Sequence, residues 1–370
     1  MNETSREART KSTRRGGGLI AAVLVVILAV GAGGAWVAWS NYETQIREIL
    51  GLSPDNDYEG TGTAPEIQIV VEEGEFGDAI AQKLVDAGVT KSFDAVYQLL
   101  LADSSIVFTP GSYSLKTGMS AASAVAILSD PSNRITFAVT IPEGYVLSKT
   151  FETLSEATGI PTADFEAAAV DPTLFGIPDA APTVEGFLFP ATYDFDPTQD
   201  AASVIQTMVD EMIARLDALG VEPSERFSVV TFAALVQREA GPNAEDFAKI
   251  ARVFQNRLDA GWNMESDATV TYGTGNLHTV WTTDAERADA GNPYNTYVHP
   301  GLPIGPIGLP GEVALEAVLA PEPGPWFFFV TTNLKTGETT FSETTAQHEA
   351  AVRELRAWCA ASPANADYCD

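Results

Sequence analysis

Hydrophobic and polar positions change their pattern several times along this chain, and each pattern predicts a different kind of element. Residues 19–39 are an apolar run of 21 residues without a charge. At 1.5 Å per residue, a helix of that length reaches roughly 31 Å, enough to cross a bilayer core. Residues 40–65 carry Gly51, Pro54, Asp55, Asn56, Asp57, Gly60, Gly62 and Pro65, which predicts a turn-rich linker. Residues 66–71 alternate as a strand does. Residues 77–87, with Ala79, Ile80 and Leu84 at helical spacing, predict a helix ended by Gly88, and residues 93–101 a second, apolar helix. A returning strand at 111–115 completes a βααβ order.

From residue 132 the pattern is that of a larger mixed domain. A β-rich run at 135–141 precedes helices at about 148–158 and 163–170, and residues 185–193 are an aromatic-rich loop or strand. Val204, Ile205, Met208, Met212, Leu216 and Leu219 trace an amphipathic helix. Pro223 and Ser224 break the chain before a helix at about 227–240, whose apolar positions are Val229, Phe232, Ala233 and Val236. Glu239 falls on the same face, three residues beyond Val236 and seven beyond Phe232, so its carboxyl is expected to point inward. Gly241 and Pro242 end that helix. Another amphipathic helix, carrying Phe247, Ile250, Ala251, Phe254 and Leu258, stops at Gly261. From Ser266 onward the chain reads as loops rich in polar and aromatic residues, with an apparent strand just before Gly273. A helix at 313–320, a strand at 326–331, a hairpin at 335–337 and a last helix through residues 348–360 complete an α+β chain. The 66–131 segment by pattern alone is a small α+β module, and its βααβ order describes a carbohydrate-binding module of the LysM type.

Charge places the apolar run. Arg6, Arg9, Lys11, Arg14 and Arg15 precede it, and Trp36 and Trp39 lie at its far end, where an interfacial aromatic belt would sit. Basic flanks stay cytoplasmic, so residues 1–18 are expected inside as a basic tail, with everything from about residue 42 outside. A cleaved signal peptide, cut near Gly33-Gly34-Ala35, is the competing reading. The apolar stretch continues past that point into two tryptophans, which favours an uncleaved anchor. The whole chain of 370 residues has 21 Lys+Arg against 50 Asp+Glu, net −29, which argues against a nucleic-acid partner. Cys359 and Cys369 read as a staple of the C-terminal tail in an oxidising exterior; sequence leaves open whether they are bonded.

The chemistry narrows by elimination. The three histidines, His278, His299 and His348, are far apart, and His348-Glu349 is followed at the fifth position by Val352, so a zincin motif is incomplete. There is no G-x-S-x-G, and Gly273-Thr274-Gly275 lacks the third glycine of a phosphate-binding loop. A site built on carboxylates, with no metal and no cofactor, is what remains. Burial and the negative end of its own helix would both raise the pKa of Glu239, keeping it protonated as a general acid. The alternative is a solvated glutamate in a fraying last turn.

The run Ala233-Ala234-Leu235-Val236-Gln237-Arg238-Glu239-Ala240 resembles the catalytic helix of the endolytic murein transglycosylases, the MltG or YceG-like family. Also similar are Ile141-Pro142-Glu143-Gly144, Glu185-Gly186-Phe187-Leu188-Phe189-Pro190, Val253-Phe254-Gln255-Asn256-Arg257-Leu258, Ser266-Asp267-Ala268-Thr269-Val270-Thr271-Tyr272-Gly273, Pro293-Tyr294-Asn295-Thr296-Tyr297, Gly301-Leu302-Pro303 through Gly305-Pro306-Ile307, and residues 341–348. The chain departs from the family at Gln237, where many members have a second acidic residue, and at Glu265, Ala268, Leu309 and Glu349. The resemblance implies Glu239 as the single catalytic residue, with Glu185, Asp267, Tyr272, Tyr294 and Asn295 lining a glycan cleft. Packing roles for Tyr272, Tyr294 and Phe189, a turn or cap role for Asp267 and a structural role for His348 stay open beside it.

The expected organisation is thus a cytoplasmic tail (1–18), a transmembrane helix (19–39), a linker (40–65), a LysM-like module (66–131), a YceG-like catalytic domain (132–358) and a C-terminal tail (359–370). The expected activity is non-hydrolytic cleavage of peptidoglycan glycan strands at the inner membrane, beside the cell-wall synthases. A non-catalytic wall-binding or division scaffold and a hydrolytic muramidase are the rivals.

Overall fold

In the computed structural model, which describes residues 56–277 and 282–369, the chain forms two units that adjoin in sequence between Ile135 and Thr136. The expected membrane helix and the basic tail before it lie outside the described residues. Among those described, no helix is long and apolar enough to cross a membrane.

In the first unit, strand β1 (Thr61–Val71) runs antiparallel to β2 (Gly111–Met119), with Ile67 opposite Leu115 and Ile69 opposite Tyr113. Alternation sends Ile69 and Val71 into the core. Helices α1 (Gly77–Asp86) and α2 (Phe93–Ala102) cover them with Ile80, Ala81, Leu84 and Val96. Helix α2 starts where it does because the Ser92 hydroxyl accepts from the Ala95 N–H, a cap worth about 1 kcal/mol. The expected βααβ order is present. Two features differ: β1 begins at Thr61, inside the stretch expected to be linker, and a further helix α3 (Ala121–Leu128) follows β2. Helix α3 carries no charged residue and buries Ala121, Ala124, Val125 and Leu128, so packing, not an amphipathic pattern, defines it.

The second unit is mixed α+β. Strand β3 (Phe137–Thr140) pairs antiparallel with β4 (Thr192–Phe195), and helices α4 (Leu147–Thr158) and α5 (Thr162–Ala168) lie between them in sequence. Helix α6 (Ala201–Ala218) is capped by Asp200, which accepts from the Ser203 N–H at 2.8 Å. It buries Val204, Ile205, Met208, Met212 and Leu216, as its periodicity predicts. Helix α7 (Arg226–Glu239) is buried without a break from Val230 to Val236, so it is a central helix rather than an amphipathic one. Around it pack α8 (Ala244–Ala260), α9 (Asp267–Thr274) and α11 (Glu312–Leu319). Phe187 and Leu188 are fully enclosed in the same core, and each such side chain contributes about 1.5–3 kcal/mol by leaving water.

Helix α9 corrects a sequence expectation. Thr269, Val270, Thr271 and Tyr272 suggest a strand by β-propensity, but tertiary contacts decide: Thr269 and Val270 are fully buried, and α9 packs on α7. The short α10 (Asp284–Arg287) follows. The antiparallel hairpin β5 (Phe328–Asn333) and β6 (Glu338–Ser342), helix α12 (Thr345–Ala360) and the short α13 (Pro363–Ala366) complete the unit. Cys359 and Cys369 form a disulfide that ties α12 to the segment after α13.

Candidate active site

Glu239 is the last residue of α7. Ala240 immediately leaves helical conformation with ψ 138, and Pro242 two residues on has no N–H to extend the helix. The side chain therefore projects from the end of a helix whose preceding turns are locked in the core. The Glu239 carboxyl meets the start of α9: the Ser266 hydroxyl donates to Glu239 Oε1, and the Ala268 backbone N–H also acts on the carboxylate. Part of Glu239 stays accessible to solvent, yet burial of the carboxyl pushes its pKa up. The neighbouring Asp267 charge pushes in the same direction, while Ser266, Ala268 and the Arg257 guanidinium oppose the rise. Burial wins, which favours a protonated acid.

Asp267 heads α9 beside this contact. Its Oδ1 accepts from the Thr282 hydroxyl and from the Tyr297 hydroxyl at 3.0 Å, and Arg287 Nη1 lies 4.0 Å away. Its side chain is about a third exposed (35%), so one carboxylate stands at the surface next to the more enclosed Glu239. Arg257, on α8 and 8% exposed, donates to the carbonyls of Phe327 (2.8 Å) and Met264. It thus braces the chain immediately before Ser266.

That chain is bent. Glu265 has φ 52, the one non-glycine residue with positive φ among the described residues. Such a conformation costs on the order of 1–3 kcal/mol and persists only where surroundings enforce it. Here the Glu265 N–H donates to the Thr296 carbonyl at 3.2 Å, and the Ser266 N–H donates to Thr296 Oγ1 at 3.2 Å.

Glu185 is 2% exposed and lies beneath the surface instead of lining an open cleft. Its Oε2 accepts from the Leu147 N–H at the start of α4 and from the Tyr272 hydroxyl, both at 2.9 Å. Its Oε1 is buried without a hydrogen-bond partner. Burial pushes its pKa up to about 7, against the pull of Leu147, Tyr272 and Arg238. Tyr272 and Tyr294 are partly buried and pack edge to face, 4.7 Å between ring centroids, a geometry typical of aromatic pairs. Gly273 lets α9 approach this layer closely: a Cβ there would lie 1.9 Å from Asn292 Oδ1, which accepts from the Tyr294 N–H at 3.0 Å.

Asn295 is fully buried with its amide engaged inside its own loop. Nδ2 donates to the carbonyls of Glu286, Arg287 and Asp289, and Oδ1 accepts from the Tyr297 N–H. It organises the loop that presents Tyr294 and Tyr297. Phe189 is a core residue, 6% exposed with Arg215 over its ring at 5.2 Å. His348 stacks on Phe328 at 5.2 Å with a buried, unpartnered Nδ1, and burial lowers its pKa.

Two groups therefore assemble along α9. Glu239 and Asp267 meet at its start; Glu185, Tyr272 and Tyr294 meet near its end. Ser266, Arg257, Thr296 and Tyr297 lie within the family-like motifs, but nothing in the sequence marks their roles. No periodic signal pairs Ser266 with Glu239, which lies in another helix.

The pattern that defines the YceG-like family matches residues 69–354. An endolytic murein transglycosylase of Bacillus subtilis is 28% identical over 306 residues, covering 77% of this chain and 83% of the relative. One of Streptococcus pneumoniae is 27% identical over 369 residues, covering 90% of this chain; the chain spans 64% of that relative's length. A YceG-like protein of Listeria monocytogenes, known from a crystal structure, superposes with a TM-score of 0.51 at 25% identity, over 77% of this chain and 98% of that one.

Proposed function

This chain belongs to the YceG-like family, and from that premise we propose that it is an endolytic peptidoglycan lytic transglycosylase with Glu239 as its one catalytic acid and base. The observation that carries the reading is the setting of Glu239: a partly exposed residue at the end of α7 whose carboxyl is held by Ser266 and has its pKa raised by burial. The two relatives named above are both endolytic murein transglycosylases, which supports the same reading.

In this mechanism Glu239 gives its proton to the glycosidic oxygen between N-acetylmuramic acid and N-acetylglucosamine as the C–O bond breaks and the electron pair leaves with that oxygen. The muramic acid 6-hydroxyl then bonds to the anomeric carbon, and Glu239, now a carboxylate, takes its proton. A 1,6-anhydro end results and no water is consumed. The internal nucleophile is already tethered beside the reacting carbon, so proximity replaces the second carboxyl that activates water or attacks in ordinary glycosidases. In this reading Asp267 favours positive charge developing at the anomeric carbon. Tyr272 and Tyr294 offer ring faces for sugars, while Glu185 and Asn295 support them from below.

The uncharged run at 19–39 and its basic flank support a single-pass inner-membrane protein with its catalytic unit outside. The βααβ order of the first unit supports a LysM-like module that holds glycan. In that setting the enzyme works beside the cell-wall synthases and limits the length of nascent strands. The test is Glu239→Gln, which preserves shape and removes the exchangeable proton. It is expected to lower cleavage at least a thousandfold, on the order of what one essential general acid contributes together with its carboxylate role. Glycan binding and the melting temperature should hold. Cleavage near wild type would sink the assignment.

A further inference from the structure

Ser266 stands where a serine ordinarily caps a helix by accepting a hydrogen bond from one of the first backbone N–H groups, yet it makes no such bond to α9. Its hydroxyl donates to Glu239 Oε1 instead. The residue has little freedom to do otherwise. Ser266 is 2% exposed, its N–H is held by Thr296 Oγ1 at 3.2 Å, and its carbonyl accepts from Thr269 Oγ1 at 2.7 Å. Thr269 and Thr296 are in turn joined through their hydroxyls at 2.9 Å. With Arg257 bracing Met264 and Glu265 at positive φ, the backbone under Ser266 is fixed on both sides.

We propose that Ser266 is a positioning residue that reserves Oε1 of Glu239 as a hydrogen-bond acceptor and so makes Oε2 the oxygen that releases and recovers the proton. This rests on the transglycosylase reading. In the acid form, Oε1 is the carbonyl oxygen receiving the Ser266 hydroxyl, and the O–H is on Oε2. The proton leaves Oε2 for the glycosidic oxygen, and Oε2 takes back the proton of the 6-hydroxyl when the anhydro ring closes. Ser266 keeps its own proton throughout. The carboxyl need not turn between the two halves of the reaction, because a turn would break the bond from Ser266. The other groups that face Glu239 are Asp267 and Ala268 at the start of α9, Arg257 on α8 and the Tyr297 hydroxyl from the following loop. Of these, only Ser266 reaches Glu239 with a side-chain hydrogen bond among the described residues.

The experiment is a carboxyl-carbon NMR titration of the full-length protein labelled at glutamate, with the Glu239 signal assigned by its loss in Glu239→Gln. Removing the hydroxyl in Ser266→Ala withdraws a donor to the carboxylate, so Glu239 should titrate about one pH unit or more higher. Ser266→Thr should titrate with the wild type. Ser266→Gly, which a cap position tolerates, replaces the alanine variant if that one does not fold. In steady-state cleavage of uncrosslinked glycan, Ser266→Ala should lower kcat roughly tenfold with KM little changed. The alkaline limb of its rate profile should move up with the titration, a response a purely structural role would not give. A Glu239 titration in Ser266→Ala that superposes on wild type overturns the proposal, and so does a threonine variant that follows the alanine one. Wild-type protein that cleaves no glycan overturns the transglycosylase reading instead, and the titration then decides the Ser266 pairing by itself.

Discussion

The hydroxyl of Tyr272 donates to Oε2 of Glu185 at 2.9 Å, so α9 touches a partly or wholly enclosed carboxyl near each of its ends. At its start it meets Glu239 through Ser266. The helix is eight residues long and too short to be stable alone. Its position is set by these contacts and by Thr269 and Val270 in the core.

Glu185 should make folding stability depend on pH. Its pKa is about 7 in the folded chain, against an ordinary value of 4.5. Below pH 4.5 the group is protonated in both states and costs nothing. As pH rises from 4.5 to about 7, the unfolded chain ionises while the folded chain holds its proton, so stability falls, by about 3 kcal/mol in all, and then levels off. Denaturant unfolding at pH 5 and pH 8 should show that decline in wild type and a smaller one in Glu185→Gln. Equal slopes in the two proteins would contradict it.

Asp267→Asn should shift the activity profile opposite to Ser266→Ala. The Asp267 charge raises the pKa of Glu239, and the asparagine oxygen can still accept from Thr282 and Tyr297. With the charge gone, Glu239 ionises at lower pH and the alkaline limb of kcat/KM moves down. A rate profile of the variant from pH 4 to pH 9 reads this directly, and an unmoved limb would show that the two carboxyls do not interact.

Asn295→Ala is expected to act on stability before it acts on binding. Its amide serves three carbonyls and one N–H in a fully buried position, and leaving such groups unpaired costs about 2–4 kcal/mol. The melting temperature should fall by several degrees, with glycan affinity preserved in the fraction that stays folded. A stable variant with lost affinity would return Asn295 to the substrate surface.

Helices and carboxyls differ in how far the sequence reveals them. The helix at 201–218 follows from its apolar spacing because it is amphipathic, and the end of α7 at Glu239 follows from Gly241 and Pro242. The Glu239 carboxyl is buried as expected, although the helix before it is enclosed on every side and has no single apolar face to aim it. Helix α9 misleads because β-branched residues fill it and tertiary packing overrides their preference. Helix α3 leaves no amphipathic trace, although Ser120, which accepts from Ser123, is a readable cap. Glu185 is legible as a motif residue but not as a buried one, since its partners Leu147 and Tyr272 lie 38 and 87 residues away. Ser266 and Glu239, 27 residues apart on separate elements, meet only once the bend at Glu265 is formed.

The central claim is that one carboxyl cleaves glycan without water, and the mass of the product tests it most directly. Full-length protein in detergent, incubated with defined uncrosslinked glycan, should release fragments ending in 1,6-anhydro-N-acetylmuramic acid, each lighter by one water than its hydrolysed counterpart. Fragments with ordinary reducing ends would contradict the account in favour of a muramidase, and intact glycan would leave a wall-binding protein without catalysis.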